Sequence, residues 1–141
     1  MEIYLTTSPK PEELKTISLG IQSFNEQHLA KDVVYELDSK FAVFAKDSDG
    51  QIIGGIRANA FWNYCIIELL WLSDQARGQG VGSKLMNQAH LFAKQQGFAY
   101  VRTETVDFQA KPFYEKLGYQ VYGELVDCPM GHTTYCLLKK L

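Results

Sequence analysis

The sequence has little that would direct it to a nucleic acid, a membrane or a secretory route. Its 141 residues carry a formal net charge of -2 and no block of lysine and arginine, whereas a general nucleic-acid binder needs a basic stripe to neutralise phosphates. No apolar run approaches the ~20 residues that span a bilayer. The opening stretch MEIYLTT lacks the basic start and apolar core of a signal peptide. These absences predict a cytoplasmic protein that binds neither nucleic acid nor membrane.

Cysteine is scarce as well. The chain has Cys65, Cys128 and Cys136, an odd number without CxxC spacing. Such usage predicts reduced, mostly buried thiols and no metal site.

What is present is an ordinary globular composition with clear periodicity. Hydrophobic residues make up 46% of the chain and charged residues 21%, which predicts one domain over residues 1–141. The order of elements predicts an α+β fold with a mixed, mostly antiparallel twisted sheet of about seven strands flanked by helices. The unit at 65–105 is expected to be locally parallel. The predicted strands are 2–7, 41–46, 51–60, 65–73, 99–105, 120–126 and 132–138, and the predicted helices are 11–30, 80–96 and about 110–117.

Three glycines, Gly78, Gly80 and Gly82, fall where the strand at 65–73 gives way to a helical period. The first amides of a helix lack internal partners and carry positive potential from the helix dipole. Because glycine has no β-carbon, an anion can approach that backbone closely, and a phosphate or pyrophosphate is the expected guest. Arg77 adds a cation beside it.

The two common nucleotide-binding glycine motifs fit this spacing poorly. A Walker loop ends in Gly-Lys-Ser/Thr, whereas Gly82 is followed by Ser83 and Lys84 in the opposite order. A dinucleotide fingerprint requires a different glycine spacing and a closer acidic residue than Glu104. A purely structural role for the glycines stays open on this pattern alone.

Two segments resemble the signatures of the GNAT superfamily of N-acetyltransferases. Residues 75–85 read Gln-x-x-Gly-x-Gly followed by Val-Gly-Ser-Lys-Leu, and residues 110–119 read Ala-x-x-Phe-Tyr-Glu-Lys-Leu-Gly-Tyr. They stand in the expected order and at the expected distance, and the order of elements matches along almost the whole chain. The resemblance implies a GNAT-like fold with a splay between the strands at 65–73 and 99–105. It also implies a transferase that takes its acyl group from acetyl-CoA and uses no metal.

The resemblance places the donor residue by residue. The backbone amides of residues 77–82 would hold the pyrophosphate, and free backbone groups of residues 70–72 would pair with the pantetheine arm. The cofactor-binding residues it implies are Leu70, Trp71, Leu72, Gln75, Arg77, Gly78, Gln79, Gly80, Val81, Gly82, Ser83, Asp107, Ala110 and Phe113.

Asp107 is a departure from the family pattern, since many members carry asparagine at this place. An ionised aspartate accepts hydrogen bonds but donates none. The departure puts an asparagine-type contact to the pantetheine arm in question.

Glu68 is the candidate base. It interrupts the apolar run at 65–72, where alternation puts it on the face of Ile66, Leu70 and Leu72. A carboxylate in apolar surroundings has a raised pKa, which suits base catalysis. A salt bridge, for example to Arg57 or Arg102, is the structural alternative.

Tyr114 is the candidate acid, because it matches the tyrosine that commonly protonates the coenzyme A thiolate in GNAT enzymes. Its spacing with Ala110, Phe113 and Leu117 is equally that of a buried helical face. Pro112 fits the first turn of a short helix, where a missing N–H is harmless.

The acceptor side is the least determined part of the sequence. Phe24, Trp62 and His132 are the candidate substrate-binding residues, with packing or simple solvation as the alternative for each. A small-molecule primary amine is favoured as the acceptor, and it would attack acetyl-CoA directly in a ternary complex. Protein lysines, protein N-termini and a non-catalytic acyl-CoA sensor stay open, as does a homodimer through the last two strands.

Overall fold

The computed structural model describes residues 1–29 and 39–141. For Ser39 the description covers the backbone alone. The chain divides into two compact units, residues 1–34 and residues 35–141, which are described separately. The first contains helix α1, Pro11–Glu26, with Pro11 in the first turn. The Glu13 carboxylate accepts the Lys10 N–H at 2.8 Å and so caps the N-terminus of the helix. Helix α1 ends at Glu26, before the end of the predicted helix 11–30, and residue 30 lies outside the described ranges.

The predicted strand at 2–7 is wrong, because residues 1–6 adopt no regular structure. A strand is stable only when its backbone groups pair with a neighbour, and no described strand pairs with this segment. The Tyr4 hydroxyl instead donates to the Glu13 carboxylate at 2.8 Å, which ties the segment to α1. The sheet consequently has six strands in the described part of the chain.

The second unit is built on this sheet. Its strands are β1 Ser39–Lys46, β2 Ile52–Phe61, β3 Tyr64–Leu72, β4 Tyr100–Val106, β5 Gln120–Val126 and β6 Thr133–Lys140, and its helices are α2 Val81–Gln95 and α3 Lys111–Lys116. The strand order is β1-β2-β3-β4-β6-β5. Among these six strands only β3 and β4 run parallel, and the other neighbours are antiparallel. This confirms the predicted α+β class and the parallel unit.

Helix α2 covers one face of the sheet and forms the core with it. Its buried residues are Gly82, Leu85, Met86, Ala89 and Ala93. They pack against β1, β2 and β3 in a cluster that also contains residues of β4 and β6. The spacing of these residues at three, four and seven places an apolar stripe on one side of the helix. Burial of that stripe holds the start of α2 at the end of β3.

The three cysteines are free thiols, but they are not all buried. Cys65 is fully buried, and burial raises the pKa of its thiol to about 12. Cys136 is half-buried and Cys128 is exposed, so the expectation of mostly buried thiols is wrong for Cys128. No helix in the described ranges has both the length and the apolar character required to cross a bilayer.

A half-buried histidine links α2 to the turn after α3. His90 Nε2 lies 2.8 Å from the Tyr119 hydroxyl. Burial, reinforced by the charge of Lys139, lowers the pKa of His90 from 6.5 to about 4. Protonation of His90 is therefore disfavoured in the folded state.

We expect folding stability to fall as pH decreases from 6.5 to about 4, since the unfolded state binds the His90 proton first in this window. A His90→Gln variant removes the titrating group and should flatten that dependence. Urea unfolding at several pH values measures it, with His28→Gln as the control. An equal slope in wild type and His90→Gln would contradict the linkage.

Candidate active site

The glycine turn lies at the start of α2, as predicted. Gly78 and Gly80 have φ values of 72° and 73°, which alanine adopts only with strain. A β-carbon at either position would meet no atom within 4 Å. Packing therefore does not require glycine at either position, and the lack of a side chain leaves open space beside the backbone. Gly80 is also the N-cap of α2, and no side chain caps the first amides of the helix. These amides and the helix dipole make an anion site.

Gly82 has a different role from the other two glycines. It is buried, and a β-carbon there would lie 3.4 Å from both Leu72 and Phe113 side-chain carbons. A β-carbon here would therefore be in ordinary van der Waals contact, at the point where the end of β3, the start of α2 and the start of α3 meet. Arg77, just before the turn, forms an exposed ion pair with Asp74 at 3.2 Å. Such a pair is worth at most about 1 kcal/mol, so the guanidinium is able to exchange to an anion at the turn.

Strands β3 and β4 separate halfway along their length. They pair over only four positions, from Tyr64↔Tyr100 to Ile67↔Thr103. Beyond this point β3 continues to Leu72 beside β2, and β4 continues to Val106 beside β6. Among the described strands, none therefore pairs with the edge of β3 that faces β4 after Ile67. This confirms the predicted splay, and it leaves backbone donors and acceptors available for an extended ligand.

A β-bulge in β3 lies at the point where the strands separate. Arg57 of β2 pairs with Leu69 and the next residue, Ala58, pairs with Ile67, so that Glu68 has no partner across the strand. The bulge shifts the alternation by one residue. Leu70 then shares a face with Ile67, opposite the one that alternation alone predicts.

The predicted surroundings of Glu68 are wrong for this reason. Its carboxylate accepts from Arg57 Nε at 2.7 Å, on the face of the sheet opposite α2. The Glu68 side chain is 34% exposed, so it lies neither among apolar side chains nor on the face of Leu70 and Leu72. The salt bridge to Arg57 that the sequence left open is present.

Tyr114 lies on the other face, where α3 begins. The Thr105 hydroxyl accepts the Ala110 N–H at 3.1 Å, and the Ala110 carbonyl accepts from the Tyr114 amide at 3.2 Å. Gly118, at φ 86°, ends the helix. The Tyr114 ring packs edge-on against its neighbour Phe113, with ring centroids 5.2 Å apart. These contacts fix a side chain that is only 5% exposed.

A buried threonine of β4 lies near Tyr114, at the point where β3 and β4 separate. The Thr103 hydroxyl donates to the Ile67 carbonyl at 3.1 Å, where the β3–β4 ladder ends. Burial raises the pKa of Tyr114, and the neighbouring Thr103 side chain partly opposes that rise. The phenol therefore stays protonated at neutral pH, as a proton donor must.

These features line one cleft of about 620 Å³. Its lining contains no cysteine, histidine, lysine or serine among the described residues. In that part of the chain no group of three metal-binding side chains lies together. The lining residues are Glu68, Leu69, Leu70, Trp71, Leu72, Arg77, Gly82, Thr103, Glu104, Thr105, Phe108, Gln109, Ala110, Phe113 and Tyr114.

Comparison with known proteins decides the family. The acetyltransferase (GNAT) domain family matches residues 38–121. The chain belongs to the GNAT acetyltransferases. It is 35% identical over 102 residues to blasticidin-S acetyltransferase from Streptomyces morookaense, which covers 72% of this chain and 75% of that relative.

Solved structures agree with the family assignment. An acetyltransferase from Bacillus cereus ATCC 14579 superposes with a TM-score of 0.84 at 27% identity over 98% of both chains. A Bacillus anthracis str. Ames protein assigned as a streptothricin acetyltransferase, solved with acetyl coenzyme A, has a TM-score of 0.66 at 27% identity, over 78% of this chain and 69% of that one. This GNAT acetyltransferase is accordingly an acetyl-CoA-dependent enzyme.

The structure gathers part of the predicted donor site into the cleft. The predicted residues that line it are Leu70, Trp71, Leu72, Arg77, Gly82, Ala110 and Phe113, with the candidate catalytic residues Glu68 and Tyr114. Gly78, Gln79, Gly80, Val81 and Ser83 form the adjacent turn and the start of α2. Gln75 lies in a short 3-10 turn, where its carbonyl accepts from the Gln79 side chain at 2.6 Å. Their contacts with acetyl-CoA stay predictions.

Asp107 lies outside the cleft lining and already has partners. One carboxylate oxygen lies 2.9 Å from His132 Nδ1, and the other accepts the Thr133 N–H at 3.1 Å. The backbone hydrogen bond from Thr133 is the largest effect that lowers the pKa of Asp107, and His132 adds to it. His132 also packs edge-on against Phe108, 4.7 Å away, which does line the cleft. A contact of Asp107 with the donor stays a prediction.

The remaining acceptor candidates are Trp62 in the second unit and Phe24 in the first. Trp62 is at the turn between β2 and β3, at φ 46°, and is 52% exposed. That turn is at the opposite end of β3 from the glycine turn. Phe24 lies on α1 in the other unit, with its ring 4.6 Å from that of His28. Substrate contacts for both residues stay predictions.

Sequence reasoning missed the β4 side of this GNAT acetyltransferase site. Thr103, Glu104 and Thr105 all line the cleft, with Phe108 and Gln109 beyond them. The sequence could have pointed to these residues, because the expected splay of the strand at 99–105 exposes the residues at its end. A Thr-x-Thr pattern there puts two hydroxyls on one face and a carboxylate on the other.

Proposed function

We propose that this GNAT acetyltransferase moves the acetyl group of acetyl-CoA to a primary amine of a small molecule by direct attack. The observation that carries the proposal is the gap between β3 and β4, with the Tyr114 phenol on one face and the Glu68 carboxylate on the other. The similarity to blasticidin-S acetyltransferase supports a small-molecule acceptor. An acid and a base on opposite sides of one gap suit transfer between a thiol and an amine.

The donor half of the site fits a long anionic ligand. The uncapped amides at the start of α2 and the glycines at positive φ would hold the pyrophosphate, with Arg77 beside them. The unpaired edge of β3 at residues 70–72 would pair with the amides of the pantetheine arm. Acetyl-CoA supplies a thioester that is already activated for attack. The chain therefore needs to position both reactants and move two protons.

Tyr114 would supply one of these protons. Tyr114 lines the cleft, and its pKa is raised by burial. A tyrosine that stays protonated can donate from its hydroxyl oxygen to a departing thiolate.

Glu68 would remove the other proton, from the ammonium group of the acceptor, either directly or through a water molecule. Arg57 holds the Glu68 carboxylate at 2.7 Å and fixes its direction beside the gap. Deprotonation is required because an ammonium nitrogen has no lone pair for attack.

Direct transfer is supported by what lines the cleft. None of the three cysteines, all of which lie in the described ranges, lines it, and Cys65 is buried with a pKa of about 12. The lining therefore offers no thiolate that would carry the acetyl group between the substrates.

The test is thiol release from acetyl-CoA with polyamines, aminoglycosides, other small primary amines and peptide N-termini, with products identified by mass spectrometry. We expect release that depends on a small amine and yields its N-acetyl product. Release with peptides alone would contradict the small-molecule acceptor. Binding of CoA without release for any amine would contradict catalysis and favour an acyl-CoA sensor.

A further inference from the structure

Glu104 is a second carboxylate at the cleft, one residue beyond the point where β3 and β4 separate. It follows Thr103, whose pairing with Ile67 is the last of the β3–β4 ladder. Thr103 and Thr105 are each 3% exposed, on the core side of β4. Alternation therefore directs Glu104, which is exposed, to the opposite face of the sheet. This is the face on which Arg57 binds Glu68.

The two carboxylates differ in their partners. Glu68 is bound to Arg57 at 2.7 Å. Within residues 1–29 and 39–141, the polar contact of Glu104 is with the thiol of its cross-strand neighbour Cys136, at 3.9 Å. That thiol is a weak donor. The pKa of Cys136 is raised mainly by burial and further by the Glu104 charge, while the charge of Arg102 lowers it.

The cation on the same face of β4 is engaged elsewhere. Arg102 donates from Nε to the Tyr122 hydroxyl at 2.9 Å. Its guanidinium also lies over the rings of Tyr64 and Tyr122, 5.5 and 5.4 Å from their centroids. In the described part of the chain, therefore, no lysine or arginine forms an ion pair with Glu104. Its carboxylate retains the capacity to bind a cationic ligand.

We propose that Glu104 binds the ammonium group of the acceptor, and that the enzyme consequently selects amines that are positively charged when they enter the cleft. The assignment rests on the proposed function, since it concerns the acceptor of that reaction. Glu104 binds the charged amine on the face opposite Tyr114, and Glu68 beside it accepts the proton before attack. Hydrogen bonds between charged groups are about twice as strong as neutral ones. The preference for charged amines therefore arises when the amine binds to Glu104.

The experiment compares Glu104→Gln with the wild-type enzyme. The acceptor probe is the polyamine or aminoglycoside that the wild type acetylates fastest. We expect KM for this amine to rise about 10- to 100-fold, because a hydrogen bond between charged groups is lost. KM for acetyl-CoA should stay within about twofold. Glu104→Asp keeps the charge and should recover part of the loss.

The matched control is Glu124→Gln on β5. Glu124 is exposed on the same sheet and does not line the cleft, so this variant makes the same change in net charge away from the site. Unchanged acceptor KM in Glu104→Gln, or an equal rise in Glu124→Gln, would overturn the assignment while wild-type activity leaves the proposed function intact. A wild type that acetylates no amine would instead overturn the proposed function, and this assignment with it.

Discussion

Replacing Tyr114 with phenylalanine is expected to lower kcat about 100-fold or more, because general acid catalysis contributes on this scale. The variant keeps the ring that packs against Phe113 and loses only the hydroxyl of this cleft-lining residue. KM for acetyl-CoA should change little, since the phenol is assigned to proton transfer and not to the anion site. Steady-state thiol release at saturating amine measures both constants.

Tyr119→Phe is the matched control for this result. Tyr119 is buried with its ring 5.5 Å from that of Tyr114, but its hydroxyl contacts His90 and it does not line the cleft. The control should lose some stability and keep kcat. An unchanged kcat in Tyr114→Phe would remove the acid role, and equal losses in both variants would indicate a packing effect instead.

Gly80→Asp is expected to weaken CoA binding at least about 100-fold while the fold is retained. Aspartate and asparagine are the non-glycine residues that best tolerate positive φ, and the missing β-carbon of Gly80 faces open space. A carboxylate at this position repels the pyrophosphate and competes for the first amides of α2. Like charges placed together cost several kcal/mol, and each 1.4 kcal/mol is about tenfold in affinity. Calorimetric titration with CoA measures the loss.

Gly80→Asn has nearly the same shape without the charge. It should bind CoA more weakly than wild type and much more tightly than Gly80→Asp. Gly97→Asp, at φ 78° just after the other end of α2 and also facing open space, controls for the strain of a side chain in this conformation. Equal CoA affinity in Gly80→Asp and Gly80→Asn would show that the turn does not bind the pyrophosphate.

The parts of the site that depend on local rules were predictable. Glycine at 78 and 80 satisfies a backbone conformation that other residues adopt with strain, and the apolar stripe of α2 follows from its own spacing. The α2 assignment was therefore correct to within one residue at each end. The Gly118 stop of the short helix belongs to the same class, because a glycine at positive φ ends a helix wherever it occurs.

The face of Glu68 was not predictable from β3 alone. Its direction depends on a bulge, which is a property of the pairing between β2 and β3. One unpaired residue reverses the alternation that follows it, so a pattern of apolar residues assigns Leu70 and Leu72 to the wrong side. The strand predicted at 2–7 failed for a related reason, because a segment with strand-like residues needs a partner to pair with.

The carboxylate at position 104 is an intermediate case. The splay implied that residues at the end of β4 would face an opening, and alternation along 103–105 fixes which side each one takes. The sequence does not show that Arg57 forms an ion pair with Glu68, or that Arg102 donates a hydrogen bond to Tyr122. Those contacts join residues that are distant in sequence, and because of them Glu104 forms no ion pair with the described lysines and arginines.

A crystal structure of the enzyme with acetyl-CoA tests the proposed donor site most directly, because it locates each part of the donor. We predict that the pyrophosphate binds at the backbone amides that begin α2. We also predict that the pantetheine arm lies along residues 70–72 in the gap between β3 and β4, with the sulfur facing the Tyr114 hydroxyl. A pyrophosphate bound away from the glycine turn, or a pantetheine arm outside that gap, would contradict this placement of the donor.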